Sequence, residues 1–133
     1  MKHLLWLIAI LATPAFAQEP TVPATLNLTW NLPTQTEDGT ALTGPLALTK
    51  VQVFVATAPI ANNSTMAPTV ELAGGATGGT HTLSVPNGST VFARVKACHA
   101  FGCSAFSNED SKLVTVSLPG VPTNLQMQLQ ITP

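Results

Sequence analysis

The chain has little charge and no concentration of basic residues. Only 8% of its 133 residues are charged, and 5 basic residues stand against 6 acidic ones. Without a basic patch, the sequence argues against a nucleic-acid-binding protein. Uncharged Thr, Asn, Ser, Gly and Pro supply the polar surface instead, a composition more typical of an exported β-protein than of a cytosolic enzyme.

The N-terminus has the pattern of a secretory signal peptide. A basic start precedes an apolar run from Leu4 to Ala12, and Ala15-Phe16-Ala17 supplies the small residues of a cleavage site. A membrane anchor is the alternative, but Pro14 interrupts this segment, which is shorter than the roughly 20 apolar residues needed to span a bilayer. We therefore predict that residues 1–17 are removed. The remaining chain is then expected to be secreted or periplasmic, without membrane insertion.

Apolar and polar residues alternate with a period of two in several short segments, which predicts half-buried strands and no helix. Turn-forming clusters separate these segments, and the whole pattern indicates an all-β sandwich. Trp30 is predicted at the centre of the core, and His81 on a polar face. The predicted strands cover residues 25–32, 50–55, 70–72, 80–85, 91–98 and 113–116. The predicted core partners of Trp30 are Leu28, Val53, Leu83, Val95 and Ala97.

The only two cysteines, Cys98 and Cys103, flank a predicted hairpin turn. Cross-strand neighbours at such a turn come within bridging distance, so in an exported protein we predict a disulfide. A metal site formed with His99 is the weaker alternative because no fourth ligand is evident. Redox catalysis is also disfavoured, since the spacing is not Cys-x-x-Cys. No cofactor is predicted.

The four residues inside this hairpin form a candidate binding loop: His99, Ala100, Phe101 and Gly102. An aromatic side chain at the tip of a rigid hairpin is a suitable anchor for a partner. The alternative is that Phe101 folds down onto Phe92 or Phe106. Glu37 and Asp38 suggest either an acidic pair or a calcium site, but adjacent acids before a glycine are ordinary turn chemistry. No serine lies in a nucleophile motif, so an enzyme is not predicted.

Several motifs in their order and spacing resemble the fibronectin type III domain of bacterial exported proteins. This resemblance covers roughly residues 24–117 and implies an immunoglobulin-like sandwich of about seven strands in two sheets, without catalysis. The chain departs from the family at Val91 and Val51, where tyrosines are usual, and its first strand, within residues 18–24, is short or missing. The motifs are Thr29-Trp30, Pro33-Thr34, residues 37–40, Leu83, Pro86, residues 91–97, Gly102, Ser104 and residues 107–109.

Residues 119–133 follow the predicted domain of residues 18–118 and begin with a proline- and glycine-containing linker. The linker leads into an alternating segment that predicts a strand with one apolar face. Its candidate assembly residues are Leu125, Met127, Leu129 and Ile131. The segment is interpreted either as a frayed tail or as a strand that completes a neighbouring sandwich.

Two functions follow from these patterns. The first is a non-catalytic binding or adhesion module for a protein or glycan partner at the cell surface or envelope. The second is a structural subunit that assembles head to tail into homo-oligomers by donating its C-terminal strand.

Overall fold

The computed structural model describes residues 20–131, so the predicted signal peptide lies outside the described residues. The described chain is all-β apart from one short 3-10 helix, Gly44–Leu46. None of the helices in this part of the chain is long and apolar enough to cross a membrane. The strands are β1 (Thr21–Thr29), β2 (Lys50–Ala56), β3 (Val70–Ala73), β4 (Gly78–Pro86), β5 (Ser89–His99), β6 (Gly102–Cys103) and β7 (Asp110–Val114).

These strands form two antiparallel sheets, which confirms the predicted all-β class. The smaller sheet contains β1 and β4, and the larger has the order β3-β2-β5, with β6 and β7 both pairing with β5. Leu72 and Val51 are directly paired and share a face of the larger sheet. A methyl group added at Gly79 of β4 would lie 3.0 Å from Leu72, so this face packs towards the smaller sheet. The two sheets therefore form a β-sandwich.

The direction of the strands defines two ends of the sandwich. At the end that we call the turn pole, the turn Pro86–Ser89 connects β4 to β5, and β1 begins opposite Pro86. At the end that we call the hairpin pole, β5 turns into β6, β1 ends and β2 begins. β7 runs back to the turn pole, where Val114 pairs with Ser89.

β1 differs from the predicted strand at both ends. It begins at Thr21 and takes up residues 21–24, instead of leaving them as a separate first strand. It ends at Thr29, one residue before Trp30, whose indole Nε1–H donates to the Ala76 carbonyl at 2.8 Å. Trp30 is of intermediate burial, less buried than Val51 and Val53 of the larger sheet, and its place at the centre of the core stays a prediction.

The most buried side chains of the inner face are valines of the larger sheet. Val51 and Val53 are each 1% exposed, and Val91 of β5 and Val85 of β4 are also buried. The inward residues of β1, in contrast, are only half-buried. His81 pairs with Leu26 on this inner face, so its prediction as a polar-face residue is wrong.

The outer face of the larger sheet carries a second cluster, which the sequence analysis does not predict. Phe54 lies on this face and is only 2% exposed. The Phe106 ring packs edge-on against it, with ring centroids 4.9 Å apart, and the Lys96 ammonium lies 4.2 Å from the Phe106 centroid. Ile60, from the loop after β2, is also buried.

Glu109 joins this loop to β5. One carboxylate oxygen accepts a hydrogen bond from the Ile60 backbone N–H at 2.6 Å and lies 3.7 Å from Arg94 Nε. Arg94 Nη1 also donates to Asn62 Oδ1 at 2.9 Å and to the Ser107 carbonyl at 2.7 Å. Because Arg94 is directly paired with Phe54, these contacts tie the loop to the strand pair that carries Phe54.

Two serines continue the ladder of β5 between β6 and β7. The Ser104 and Ser107 N–H groups donate to the carbonyls of Ala97 and Val95, each at 2.8 Å. Their hydroxyl oxygens accept hydrogen bonds from the backbone N–H groups of the same two residues, at 3.0 and 2.9 Å. The edge of the sheet is therefore satisfied from the hairpin to β7, although the segment between β6 and β7 is not a regular strand.

Candidate functional site

The candidate binding loop is a tight hairpin at the hairpin pole. A disulfide joins Cys98 and Cys103, which are directly paired with a Cα–Cα distance of 3.9 Å, and His99 pairs with Gly102 on the next rung. Only two residues remain unpaired at the tip of the hairpin. The disulfide predicted from the sequence is therefore present, and it fixes the base of the loop.

Phe101 projects from the tip of this hairpin. Its side chain is 77% exposed, so it is not folded onto Phe92 or Phe106. Its backbone N–H donates to His99 Nδ1 at 3.0 Å, and its ring lies edge-on to the imidazole with 6.0 Å between centroids. These contacts within the loop orient an exposed aromatic ring next to a polar one.

The loop between β1 and β2 lies opposite the hairpin and contains a compact acidic turn. The Asp38 carboxylate accepts hydrogen bonds from the Thr36 hydroxyl and from the Thr40 hydroxyl, the latter at 3.0 Å. The Thr36 hydroxyl, followed by that of Thr40, holds the pKa of Asp38 below its ordinary value. This carboxylate is therefore engaged in turn chemistry, as the Asp-Gly pattern indicates. In the described part of the chain, no three His, Cys, Asp or Glu side chains are grouped to hold a metal ion.

The second half of the same loop is held against the rest of the sandwich. The Thr49 N–H donates to the Cys98 carbonyl at 2.8 Å, which joins the start of β2 to the base of the hairpin. Gly74 approaches the loop so closely that a methyl group there would lie 2.1 Å from the Leu48 carbonyl oxygen. Only glycine fits this approach, so the backbone contact fixes the position of residues 44–49 relative to the hairpin.

A groove of about 670 Å³ separates this loop from the hairpin. Leucines from the loop supply its apolar lining, and the hairpin contributes both of its aromatic rings. Glu37 and Asp38 are the charged residues that line it. Its principal lining residues are Leu42, Leu46, Leu48, His99, Phe101 and Glu37. The structure therefore brings the candidate binding loop together with a second loop that the sequence analysis treats only as a connection.

The candidate assembly residues lie outside the sandwich. The side chains of Leu125, Met127, Leu129 and Ile131 are 83–91% exposed. Residues 119–131 form no strand in this structure, so the strand predicted there is not formed within this chain. Asn124, at the junction of linker and segment, has a φ of 60°, a conformation that asparagine tolerates better than most residues.

Comparison with known proteins does not place the chain in a family: no protein-family model, no curated protein and no solved structure matches it significantly.

Proposed function

We propose that this protein is a secreted or periplasmic, non-catalytic binding module that holds a protein or glycan partner in the groove at its hairpin pole. The observation that carries the proposal is the exposed Phe101 ring, which stands beside an apolar groove on a hairpin fixed by a disulfide. A large aromatic side chain exposed in this way is a typical anchor of a binding surface.

The hairpin and the loop between β1 and β2, which form the two walls of the groove, are both rigid, and this favours binding. Ordering a loop on association costs free energy, and a loop whose shape is already fixed avoids most of that cost. The Cys98–Cys103 bond fixes one wall, and the Thr49 and Gly74 contacts fix the other. The groove therefore has a defined shape before any partner arrives.

The lining of the groove favours a partner with apolar or ring-shaped groups and little negative charge. The leucines offer apolar surface, and the Phe101 ring offers a face or an edge to a sugar or to an apolar side chain. Asp38 has a lowered pKa and is occupied by its own turn, whereas catalytic acids and bases are commonly shifted towards neutrality. The arrangement fits recognition better than catalysis.

The sequence signs of export and the family resemblance support the proposed location and the proposed binding role. A disulfide is typical of oxidising compartments, and the N-terminal sequence has the pattern of a secretory signal. The two antiparallel sheets support the resemblance to a fibronectin type III domain, whereas the lack, within residues 20–131, of a separate strand before β1 is a departure from that family. Domains of this architecture carry binding loops at the ends of a rigid sandwich.

The test is a screen on arrays of glycans and envelope proteins, followed by titration of each hit with two variants. Phe101→Ala is expected to weaken binding more than about fivefold, a loss of roughly 1 kcal/mol, without changing the melting temperature. The matched control is Leu113→Ala, which removes an exposed side chain (63%) from β7. Equal weakening by both variants, or full binding by Phe101→Ala, would contradict the proposal.

A further inference from the structure

β1 has a free edge, and the residues whose backbone N–H and carbonyl groups point to that edge can be identified. Within the described residues, β1 pairs only with β4. The Trp30 N–H donates across this pair to the Thr77 carbonyl at 3.0 Å. Because successive residues of a strand point their backbone groups to opposite sides, Thr25, Asn27 and Thr29 direct theirs to the free edge. Pro23 lies in the same phase but has no N–H to offer.

The inner face next to this edge is incompletely covered. The inward side chains of β1 are half-buried, although the facing Val51 and Val53 are almost fully buried. Exposed sheet edges are usually protected by charged residues, especially Lys, and β1 contains no charged residue. The inward side chains of β1 are Val22, Ala24, Leu26 and Leu28.

The tail of the same chain has the alternating apolar and polar pattern of a strand that would cover this edge. In the segment of residues 125–131, four large apolar residues alternate with three glutamines, and none is charged. The apolar side chains are 83–91% exposed, so they contact almost nothing in their own chain. Both the segment and the edge are uncharged, so no unpaired charge would be buried between them.

We propose that residues 125–131 of a second copy add to the free edge of β1 as an antiparallel strand. The direction follows from the poles. β1 runs from the turn pole to the hairpin pole, and the tail leaves from the turn pole, where the Val116 N–H and carbonyl each hydrogen-bond to the Asn87 side chain. A tail that folded back on its own β1 would run parallel to it. If the turn pole of one copy is stacked on the hairpin pole of the next, the tail of the first copy meets β1 of the second in the antiparallel direction, which is the more stable pairing.

Pro23 selects the register. The apolar residues of the segment must oppose inward residues of β1, so the shift can change only in steps of two. With Met127 opposite Leu28 and Leu129 opposite Leu26, the residues that exchange backbone hydrogen bonds are the three glutamines with residues 29, 27 and 25. This register uses three complete donor–acceptor pairs. A shift of two residues one way sets Gln130 opposite Pro23, and the same shift the other way sets Gln126 opposite Asn31, beyond the end of β1. The hydrogen-bonded pairs are Thr29–Gln126, Asn27–Gln128 and Thr25–Gln130.

The area fits a specific contact. The chain weighs 13.8 kDa over 133 residues, so a seven-residue extended segment exposes on the order of 1,000 Å². Covering one face and one edge of it buries more than about half of that area, which approaches the roughly 800 Å² per partner of a standard interface. Because donor and acceptor surfaces differ, the contact repeats and builds an open filament.

Mixed single-cysteine variants test the contact and its register. Chains with Asn27→Cys and chains with Gln128→Cys are mixed under mild oxidation, and a covalent dimer is expected on a non-reducing gel because directly paired Cα atoms lie within disulfide range. Asn27→Cys mixed with Gln126→Cys is the matched control, shifted by two residues, and should give at least fivefold less dimer. Absence of the first dimer, or equal yields from both mixtures, would overturn the proposal.

Three further variants distinguish pairing with a neighbour's tail from pairing with the chain's own tail and from non-specific association. The double variant Asn27→Cys/Gln128→Cys should give a ladder of oligomers; a cross-linked monomer alone would mean that the tail pairs with its own chain. In light-scattering measurements on the uncross-linked protein, Met127→Asp should lower the oligomer fraction at least tenfold, and Val121→Asp, in the exposed linker outside the segment, should leave it near wild type. A wild-type protein that stays monomeric at millimolar concentration would contradict the proposal. In dilute, monomeric protein, all these tail variants should keep the wild-type melting temperature, because the tail packs on nothing in its own sandwich.

Discussion

At the scale of single residues, the stability of the sandwich depends on both faces of its larger sheet. Phe54 is 2% exposed on the outer face and packs against Phe106, whereas Trp30 on the other sheet is half-buried. A buried aromatic side chain contributes more than an exposed one because more apolar surface leaves water.

Truncating each of these two aromatics tests which of them contributes more to the stability of the sandwich. Phe54→Ala should lower the free energy of unfolding by about 3–5 kcal/mol, the range for a buried phenylalanine. Trp30→Ala should cost less than Phe54→Ala, because part of the Trp30 surface is already in water. Urea unfolding measures both, with Phe54→Leu, which keeps a large apolar side chain, as a milder control expected to cost less than Phe54→Ala. A larger cost at Trp30 would contradict this assignment of the core.

The burial of Phe54 shows the limit of local patterns. Alternation identifies Val51 and Val53 as inward residues correctly, since period two is a property of the strand itself. Phe54 falls on the opposite, nominally polar phase, and it is buried where Phe106 packs on it from a distant part of the chain. The wrong prediction for His81 has a different cause. His81 lies two residues from Leu83 and shares its inward phase, so the alternation itself predicts the inner face.

At the scale of elements, the hairpin and its continuation to β7 act as one edge of the larger sheet. The disulfide fixes its first rung, Ser104 and Ser107 supply its middle, and β7 completes it. The cysteine spacing is enough to predict the disulfide. The role of the serines is not predictable from alternation, because they replace regular ladder bonds with hydroxyl groups.

Removing the disulfide should loosen this edge locally. The double change Cys98→Ser and Cys103→Ser should lower the free energy of unfolding by about 1–3 kcal/mol, at the low end for disulfides because the loop that it closes is short. Hydrogen exchange should accelerate most at the amides of residues 97–104 and least at the β1–β4 pair. Uniform acceleration across both sheets would instead mean that the bond stabilises the whole fold.

At the scale of the whole molecule, the sandwich and the tail are separate in their contacts. The last residue of the described tail that is hydrogen-bonded to the sandwich is Val116, through Asn87. Beyond it, the large apolar side chains of the tail are exposed. Alternation in the tail predicts a strand, but a strand needs a partner, and its own chain provides none within residues 20–131.

Two truncations should show where the sandwich ends. Deleting residues 119–133 should leave the melting temperature of dilute, monomeric protein within about 1 °C, because no packing is lost. Deleting residues 115–133 also removes both hydrogen bonds of Val116 to Asn87, each worth about 0.5–1.5 kcal/mol, and should lower the melting temperature by several degrees. Calorimetry distinguishes the two. Equal destabilisation by both deletions would mean that the tail packs on the sandwich.

The direction of β7 has a mechanical consequence. A pull applied to the tail along the long axis of the sandwich reaches β7 at Val114, at the turn pole, and drags this strand lengthwise past β5. The bonds of an antiparallel ladder lie perpendicular to the strands, so such a pull shears the paired rungs from Ser89 to Ala93 together instead of opening them one at a time. The tail is thus attached in the geometry that shares a tensile load among several hydrogen bonds.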